Sequence, residues 1–310
     1  IMKELWTNPH PSYQSRRWSF SDLRFSPKPI QKPHIPLWIG GSSPGAIRRT
    51  AITGDGWHPT GLSPEEFSLG RREIGERDGK SAFVQLIEAV HGIDGLDRIR
   101  FTSPHPKGYG DDLIEAYGRL AKLCESAHIP VQSGSDAMLK RMHRGYTRER
   151  FLEIVGKLRA VRQGIGVTTD IIVGFPGETE EEFEATMSLC REVQFDNAFV
   201  FKYSTRRDTP AAAMENQLPR ELIEQRHAMV LAAINEMGAR RYERFVGKTM
   251  EVLVEGPSRR NAARMEGRTR CNKIVVFDGG NRFRGELMEL KITRNGSFTL
   301  YGDPAIVNLN

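Results

Sequence analysis

Residues 128–136 read His-Ile-Pro-Val-Gln-Ser-Gly-Ser-Asp, and residues 169–179 read Thr-Asp-Ile-Ile-Val-Gly-Phe-Pro-Gly-Glu-Thr. Each segment is a short apolar run that gives way to glycine and small polar residues before a helical pattern begins. A parallel α/β barrel places its chemistry at such points, because the loops at the carboxyl ends of its strands meet on one face. The two segments therefore predict an α/β fold with a partial (β/α) barrel and a ligand site at the strand ends.

The flanking sequence continues this alternation through residues 80–247, which we take as one domain. Thr179 precedes Glu180, Glu181 and Glu182, which is typical of a capped helix whose first turn attracts carboxylates. Strand patterns in this region cover Arg98–Ser103, His128–Val131, Val167–Val173 and Asn197–Tyr203.

Residues 1–79 add two strand patterns, Leu37–Gly40 and Gly56–Pro59. Between them, Gly41-Ser42-Ser43-Pro44 starts a helix, and such a turn suits a phosphate because its free N–H groups face the anion. Two strands here and four in 80–247 would make a six-stranded hybrid barrel. The other explanation is that two unrelated genes have been joined, and the sequence leaves both open.

Residues 248–310 carry short strand patterns at Thr249–Glu255, Lys273–Phe277, Glu286–Thr293 and Ser297–Tyr301, typical of a small all-β barrel. The formal charge is +3 for residues 1–79, −1 for 80–247 and +4 for 248–310, so the last segment holds most of the excess. A basic surface on a small barrel favours a polyanionic partner such as nucleic acid, although solubility alone would explain a charge of this size.

Composition bears on metal sites, disulfides and membrane segments. The chain has three cysteines, Cys124, Cys190 and Cys271, whose wide spacing fits neither a metal site nor a disulfide framework. No apolar stretch is long enough for a membrane span, and the first residues do not resemble a signal peptide. We therefore expect a cytoplasmic protein with no membrane partner and no metal ligands.

Residues 81–310 closely resemble radical-SAM tRNA methylthiotransferases of the MiaB type. Besides the two segments quoted above, Arg144-Gly145-Tyr146-Thr147, Phe201-Lys202-Tyr203-Ser204 and Thr209-Pro210-Ala211-Ala212 match in order. Such enzymes add a methylthio group to an isopentenylated adenosine beside the tRNA anticodon. They use S-adenosyl-L-methionine (SAM) and two iron–sulfur clusters, and they end in an OB-like TRAM domain that binds RNA.

The resemblance also implies roles for particular residues. The residues expected to line the SAM site are Gln132, Ser133, Asp170, Ile172, Val173, Gly174, Lys202 and Tyr203. Those expected to contact RNA are Arg259, Arg260, Arg264, Arg268, Arg270 and Lys273. Five of these residues have a structural alternative: Gln132 and Ser133 could form a polar helix cap, Asp170 could be a buried hydrogen-bond acceptor, and Ile172 and Val173 could be barrel core.

Residues 1–79 instead resemble the C-terminal end of luciferase-like flavin or deazaflavin monooxygenases. The resemblance rests on Pro36-Leu37-Trp38-Ile39-Gly40-Gly41-Ser42 and Gly54-Asp55-Gly56-Trp57-His58-Pro59. Most of the flavin pocket of that family has no counterpart in the chain, so we do not expect a flavin cofactor.

The resemblance implies a tRNA-modifying methylthiotransferase. Such enzymes hold their catalytic cluster with a Cys-x-x-x-Cys-x-x-Cys run, which this sequence lacks. The irons of such a cluster are held by cysteine thiolates. We therefore expect this chain alone to have no catalytic residues and no methylthiotransferase activity. We expect it to retain RNA binding. One alternative is that a partner chain supplies the cluster. Another is a remnant of a flavin-dependent oxidoreductase, and a third is an inactive fusion that only binds RNA.

Overall fold

The computed structural model describes residues 1–31, 34–59, 61–63, 65–67, 69–70, 80–102 and 104–305. The chain divides into two compact units, Ile1–Ala82 and Phe83–Asn310. Among the described residues, no helix combines the length and the apolar character that crossing a bilayer requires.

The first unit contains short elements. Helix α1 (Met2–Thr7) precedes an antiparallel pair, β1 (Tyr13–Gln14) and β2 (Ser19–Phe20). Strands β3 (Trp38–Gly40) and β4 (Gly56–His58) are parallel and are joined through helix α2 (Pro44–Thr53). The predicted helix start is confirmed, because Ser43 caps α2 by accepting a hydrogen bond from the Ala46 N–H.

The second unit begins with alternating helices and strands and ends in a barrel. Its helices are α3 (Ala82–His91), α4 (Asp111–Arg119), α5 (Asp136–Arg141), α6 (Arg148–Val161), α7 (Glu180–Val193) and α8 (Arg220–Glu243). Its first three strands are β5 (Ser126–His128), β6 (Gly166–Val173) and β7 (Asn197–Lys202), which form a parallel sheet in that order.

The alternating burial of side chains along β6 shows which side of this sheet faces the helices. Thr169, Ile171 and Val173 are fully buried, whereas the residues between them are partly exposed. The buried side packs on the helices to form one hydrophobic core, whose largest members include Phe151, Phe183 and Phe195. The other side of the sheet is left open. This is the arrangement of a partial barrel, with helices outside and strand ends available to ligands.

The hydrogen-bonded sheets of the described residues are smaller than the six-stranded hybrid. Strands β3 and β4 form one pair, and β5, β6 and β7 form a separate sheet. The strand predicted at Arg98–Ser103 is reduced to a single bridge between Ile99 and Leu123, and its Ser103 lies outside the described residues. The adjoining Arg98 and Arg100 bond to main-chain carbonyls of the C-terminal barrel.

The predicted C-terminal barrel is confirmed as a closed five-stranded barrel. Its strands are β8 (Thr249–Pro257), β9 (Met265–Thr269), β10 (Ile274–Phe277), β11 (Leu287–Asn295) and β12 (Thr299–Pro304). The sequence analysis missed β9, because Met-Glu-Gly-Arg-Thr has a single β-branched residue and includes a glycine, which is depleted in strands. Gly267 explains this composition, because a Cβ there would lie 2.3 Å from the Leu253 carbonyl oxygen.

Candidate functional site

The open side of the three-stranded sheet carries a mixed polar and aromatic surface. The strand register pairs Asp170 with Phe199 and Ile172 with Phe201, so these four side chains share one face. The two phenylalanines are 56% and 51% exposed. His128 joins them from β5, with its Nε2 3.4 Å from Asp170 Oδ1 and its ring edge-on to Phe199. This face suits a ligand with an aromatic ring and polar edges.

Asp170 and Ile172 lie on this open face, whereas Val173 does not. The Val173 side chain is fully buried on the helix-facing side of β6. Packing alone explains Val173, in agreement with its structural alternative. A one-residue step along a strand moves a side chain to the opposite face, so neighbours in sequence differ in function here.

Gln132 and Ser133 anchor the loop after β5. The Gln132 N–H donates to the Asp170 carbonyl at 2.8 Å, and its own carbonyl accepts from the Ile172 N–H at 2.9 Å. Ser133 Oγ lies 3.2 Å from Thr186 Oγ1 and accepts from the Ser135 N–H. Both side chains are buried. These contacts are structural, and a ligand role for either residue stays a prediction.

Gly174 lies at the turn that follows β6. Its φ of 77° is in the left-handed region, and a Cβ there would lie 2.5 Å from Ile223 Cγ1. Its N–H donates to Glu178 Oε2 at 2.9 Å. Burial raises the pKa of Glu178, although this N–H and the Arg226 guanidinium at 2.8 Å oppose the rise. The sequence analysis missed Arg226, since an arginine inside a helix normally faces solvent.

Lys202 and Tyr203 end the last strand of the sheet. Lys202 Nζ lies 3.8 Å from Glu224 Oε1 on α8, and its side chain is exposed. The Tyr203 N–H donates to the Val173 carbonyl, and its ring packs edge-on against Phe175 at 5.2 Å. Tyr203 thus closes the strand ends, while Lys202 lies beside the outer helix.

The residues present do not fit an iron–sulfur cluster. Cys124, Cys190 and Cys271 are all buried; Cys190 lies in α7, and the other two lie in connecting segments. Burial raises the pKa of Cys190 to about 12, whereas a cluster ligand must be a thiolate. Within the described ranges, no group of three or more histidine, cysteine or acidic side chains is placed to hold a metal ion.

Three of the six residues predicted to contact RNA form ion pairs within the protein. Lys273 Nζ lies 2.9 Å from Asp196 Oδ1, and both side chains are about 98% buried. Arg270 pairs with Glu125 at 3.0 Å. Arg268 Nε lies 3.2 Å from Glu255. Lys273 cannot reach an RNA phosphate from this position, so we leave it out of the proposed RNA surface.

The other three predicted contacts differ in environment. Arg259 and Arg260 are exposed, and no carboxylate partner is seen for their side chains among the described residues. Arg264 pairs with Asp278 and lies over the Tyr301 ring at 5.9 Å. Arg294, which the sequence analysis did not single out, lies over the same ring at 3.4 Å. We call Arg259, Arg260, Arg264, Arg294 and Tyr301 the arginine–tyrosine surface.

Three family models match successive segments of the chain. Residues 65–190 match the model of the Radical SAM superfamily, and residues 243–305 match the TRAM domain. Residues 1–81 match, more weakly, the luciferase-like monooxygenases.

Curated relatives extend this similarity. A tRNA-2-methylthio-N(6)-dimethylallyladenosine synthase from Akkermansia muciniphila is 50% identical over 233 residues, which cover 75% of this chain and 51% of the relative. The protein of the same name from Opitutus terrae is 50% identical over 236 residues, covering 76% and 49%. The chain therefore spans about half the length of these relatives. These identities confirm that residues 81–310 are similar to methylthiotransferases.

Among solved structures, coproporphyrinogen III oxidase from Escherichia coli, a radical SAM enzyme, aligns with a TM-score of 0.42 and 15% identity. The alignment covers 59% of this chain and 40% of that one. A score of this size supports no conclusion about this chain.

Proposed function

We propose that the chain is the later part of a tRNA methylthiotransferase, which adds a methylthio group to N6-dimethylallyladenosine beside the anticodon. The observation that carries this proposal is the 50% identity over 233 residues to synthases of that name. The succession of a radical-SAM match and a TRAM match along the same chain supports it. A tRNA substrate would place the protein in the cytoplasm.

In this proposal the open sheet face binds SAM. Asp170 would accept hydrogen bonds from the adenosine part, and Ile172 would offer it an apolar contact. The loop that Gln132 and Ser133 hold in place, and the turn at Gly174, give the strand ends their shape. Val173 supports this edge from the hydrophobic core. Lys202 supports it through its ion pair with Glu224 on α8, and Tyr203 supports it from the end of the last strand. When bound, SAM would supply the radical precursor and the methyl group of the family chemistry.

We propose further that the chain does not catalyse this reaction alone, because its cysteines are buried and scattered. The cluster would then have to come from a partner chain. A six-stranded hybrid barrel, completed by strands of the first unit, also stays a hypothesis. We do not propose a flavin-dependent function.

Iron and sulfide analysis after anaerobic reconstitution tests the catalytic part. We expect about zero iron per chain and no brown absorbance. Incorporation of about four irons per chain, the content of one [4Fe–4S] cluster, would contradict the proposal that this chain is catalytically incomplete.

The arginine–tyrosine surface is the proposed RNA contact. A partly exposed aromatic ring such as Tyr301, flanked by arginines, can stack on a base while the guanidinium groups neutralise phosphates. Binding of a tRNA to the chain, measured by filter retention at several salt concentrations, tests this proposal. We expect the logarithm of the association constant to fall linearly with the logarithm of salt concentration, because phosphate contacts release counterions. Absence of tRNA binding at low salt would refute it.

A further inference from the structure

Asp196 is a buried carboxylate at the amino ends of β6 and β7. It directly precedes β7, and its Oδ2 accepts a hydrogen bond from the Val167 N–H at 2.9 Å. Three cations contact it: Arg241 at 3.1 Å, Arg244 at 3.6 Å and Lys273 at 2.9 Å. The two arginines lie on and just after α8, whereas Lys273 comes from the C-terminal barrel. Asp196 therefore lies where the α/β part of the second unit meets that barrel.

Arg159 on α6 is a fourth cation at this junction. Its guanidinium donates to the Val193 carbonyl at 2.5 Å, at the end of α7, and this carbonyl carries only part of a negative charge. Burial lowers the pKa of Arg159, and the charges of Arg241 and Arg244 lower it further. The Asp196 carboxylate opposes this decrease, so all three groups lie within electrostatic reach of Arg159. We call Arg159, Asp196, Arg241, Arg244 and Lys273 the junction cluster.

The charges of the junction cluster do not balance. Asp196 supplies its one negative charge, and among the described residues no other carboxylate forms an ion pair with any of the four cations. One carboxylate against four cations leaves three positive charges uncompensated. In addition, Arg241 Nε is buried without a hydrogen-bond partner. Because like charges repel more strongly where water is partly excluded, this arrangement favours a bound anion.

Solvent reaches the arginines of the cluster but not its central pair. The side chains of Arg241 and Arg244 are 17% and 35% exposed, and Arg159 is partly exposed. Asp196 and Lys273 are fully buried. An anion from solution can therefore meet the three guanidinium groups. Guanidinium groups hold oxyanions well, because their planar N–H groups donate paired, charge-assisted hydrogen bonds.

We propose that the junction cluster binds a free phosphate-sized oxyanion, held by Arg159, Arg241 and Arg244. A doubly charged phosphate offsets two of the three uncompensated charges. It joins α6 to α8, and through Asp196 and Lys273 it stabilises the junction with the C-terminal barrel. The site lies at the end of β6 opposite to its glycine turn, so it is separate from the proposed SAM face.

Thermal unfolding of the 310-residue chain in sodium phosphate tests this proposal, with sodium chloride of matched ionic strength as the reference. A ligand that binds only the folded protein raises Tm as its concentration exceeds the dissociation constant. We expect Tm to rise by about 3–6 °C at a phosphate concentration ten times that constant. A Tm in phosphate no higher than in chloride would overturn the proposal.

Two variants locate the anion. Arg244→Gln and Arg159→Gln should each weaken phosphate binding by about tenfold or more, because each removes a charge-assisted donor. Arg240→Gln is the matched control, since Arg240 is an exposed residue of α8 that pairs with Glu236 outside the cluster, and it should respond like the unmodified chain. Phosphate also stabilises folded proteins generally by exclusion from their surface. An equal rise in Tm for the unmodified chain and both cluster variants would therefore refute binding at the cluster.

The source of the anion is tested by titrating phosphate calorimetrically in the absence and presence of tRNA. Phosphate affinity that tRNA leaves unchanged supports a site for a free anion. Displacement of phosphate by tRNA would assign the cluster to a phosphate of the RNA backbone and would overturn the free-anion assignment.

Discussion

Replacing Lys273 with alanine should destabilise the protein without changing its intrinsic affinity for RNA. Lys273 Nζ lies 2.9 Å from Asp196 Oδ1, and the two side chains are 2% and 1% exposed. Asp196 lies between α7 and β7, and Lys273 belongs to the C-terminal barrel, so the pair joins the two parts of the second unit. Lys273 also lies over the Tyr242 ring at 5.2 Å.

The size of the destabilisation by Lys273→Ala depends on the charged partners that Asp196 keeps. Removing one member of a buried ion pair costs roughly 3–5 kcal/mol, because it leaves a buried charge uncompensated. Asp196 keeps Arg241 at 3.1 Å and Arg244 at 3.6 Å, which favours the lower end of that range. We therefore expect a loss of about 3 kcal/mol. For a unit of this size, that loss corresponds to a decrease in Tm of about 6–12 °C.

The assay is thermal unfolding followed by circular dichroism, with tRNA binding measured well below the transition. Lys291→Ala is the matched control, since Lys291 is an exposed cation of the same barrel and its loss should change stability by no more than about 0.5 kcal/mol. Equal melting of Lys273→Ala and Lys291→Ala, or a loss of RNA affinity in folded Lys273→Ala, would refute this reasoning.

Three further predictions address the RNA surface, the strand-end loop and acid stability. Replacing both Arg259 and Arg260 with alanine should reduce the magnitude of the logarithmic salt slope of tRNA binding by about 1.8, as expected for two lost phosphate contacts; an unchanged slope would exclude them from the interface. Gly134→Ala should cost about 1–3 kcal/mol in urea unfolding, because its Cβ would lie 2.4 Å from the Ala185 carbonyl oxygen, while Gly156→Ala, with open space in α6, should stabilise by up to about 1 kcal/mol. Burial alone would raise the pKa of Asp196, but Lys273 and Arg241 hold it below its usual value. The stabilisation from Asp196 should therefore be present above about pH 4 and lost as pH falls through the lower folded pKa, with a weaker acid dependence of unfolding in Asp196→Asn.

Local features of the fold were readable from the sequence because they depend on neighbouring residues. Thr179 and Glu182 form the reciprocal capping pair of α7, where the threonine was predicted to begin a helix. The strand at Gly166–Val173 was predicted to within one residue, because its apolar run ends at a glycine turn. The small barrel was likewise predicted, although the weakly apolar β9 was not.

The tertiary structure decided which of the predicted site residues are available to a ligand. Ile172 and Val173 are adjacent and both apolar, yet the register of β6 exposes the first and buries the second. Arg259 and Lys273 are both cations of one basic segment, yet only Lys273 meets Asp196, which lies far away along the chain. Composition and local pattern fix where helices, strands and charges occur. Burial and charge pairing depend on contacts between distant segments, and those contacts exist only once the chain has folded.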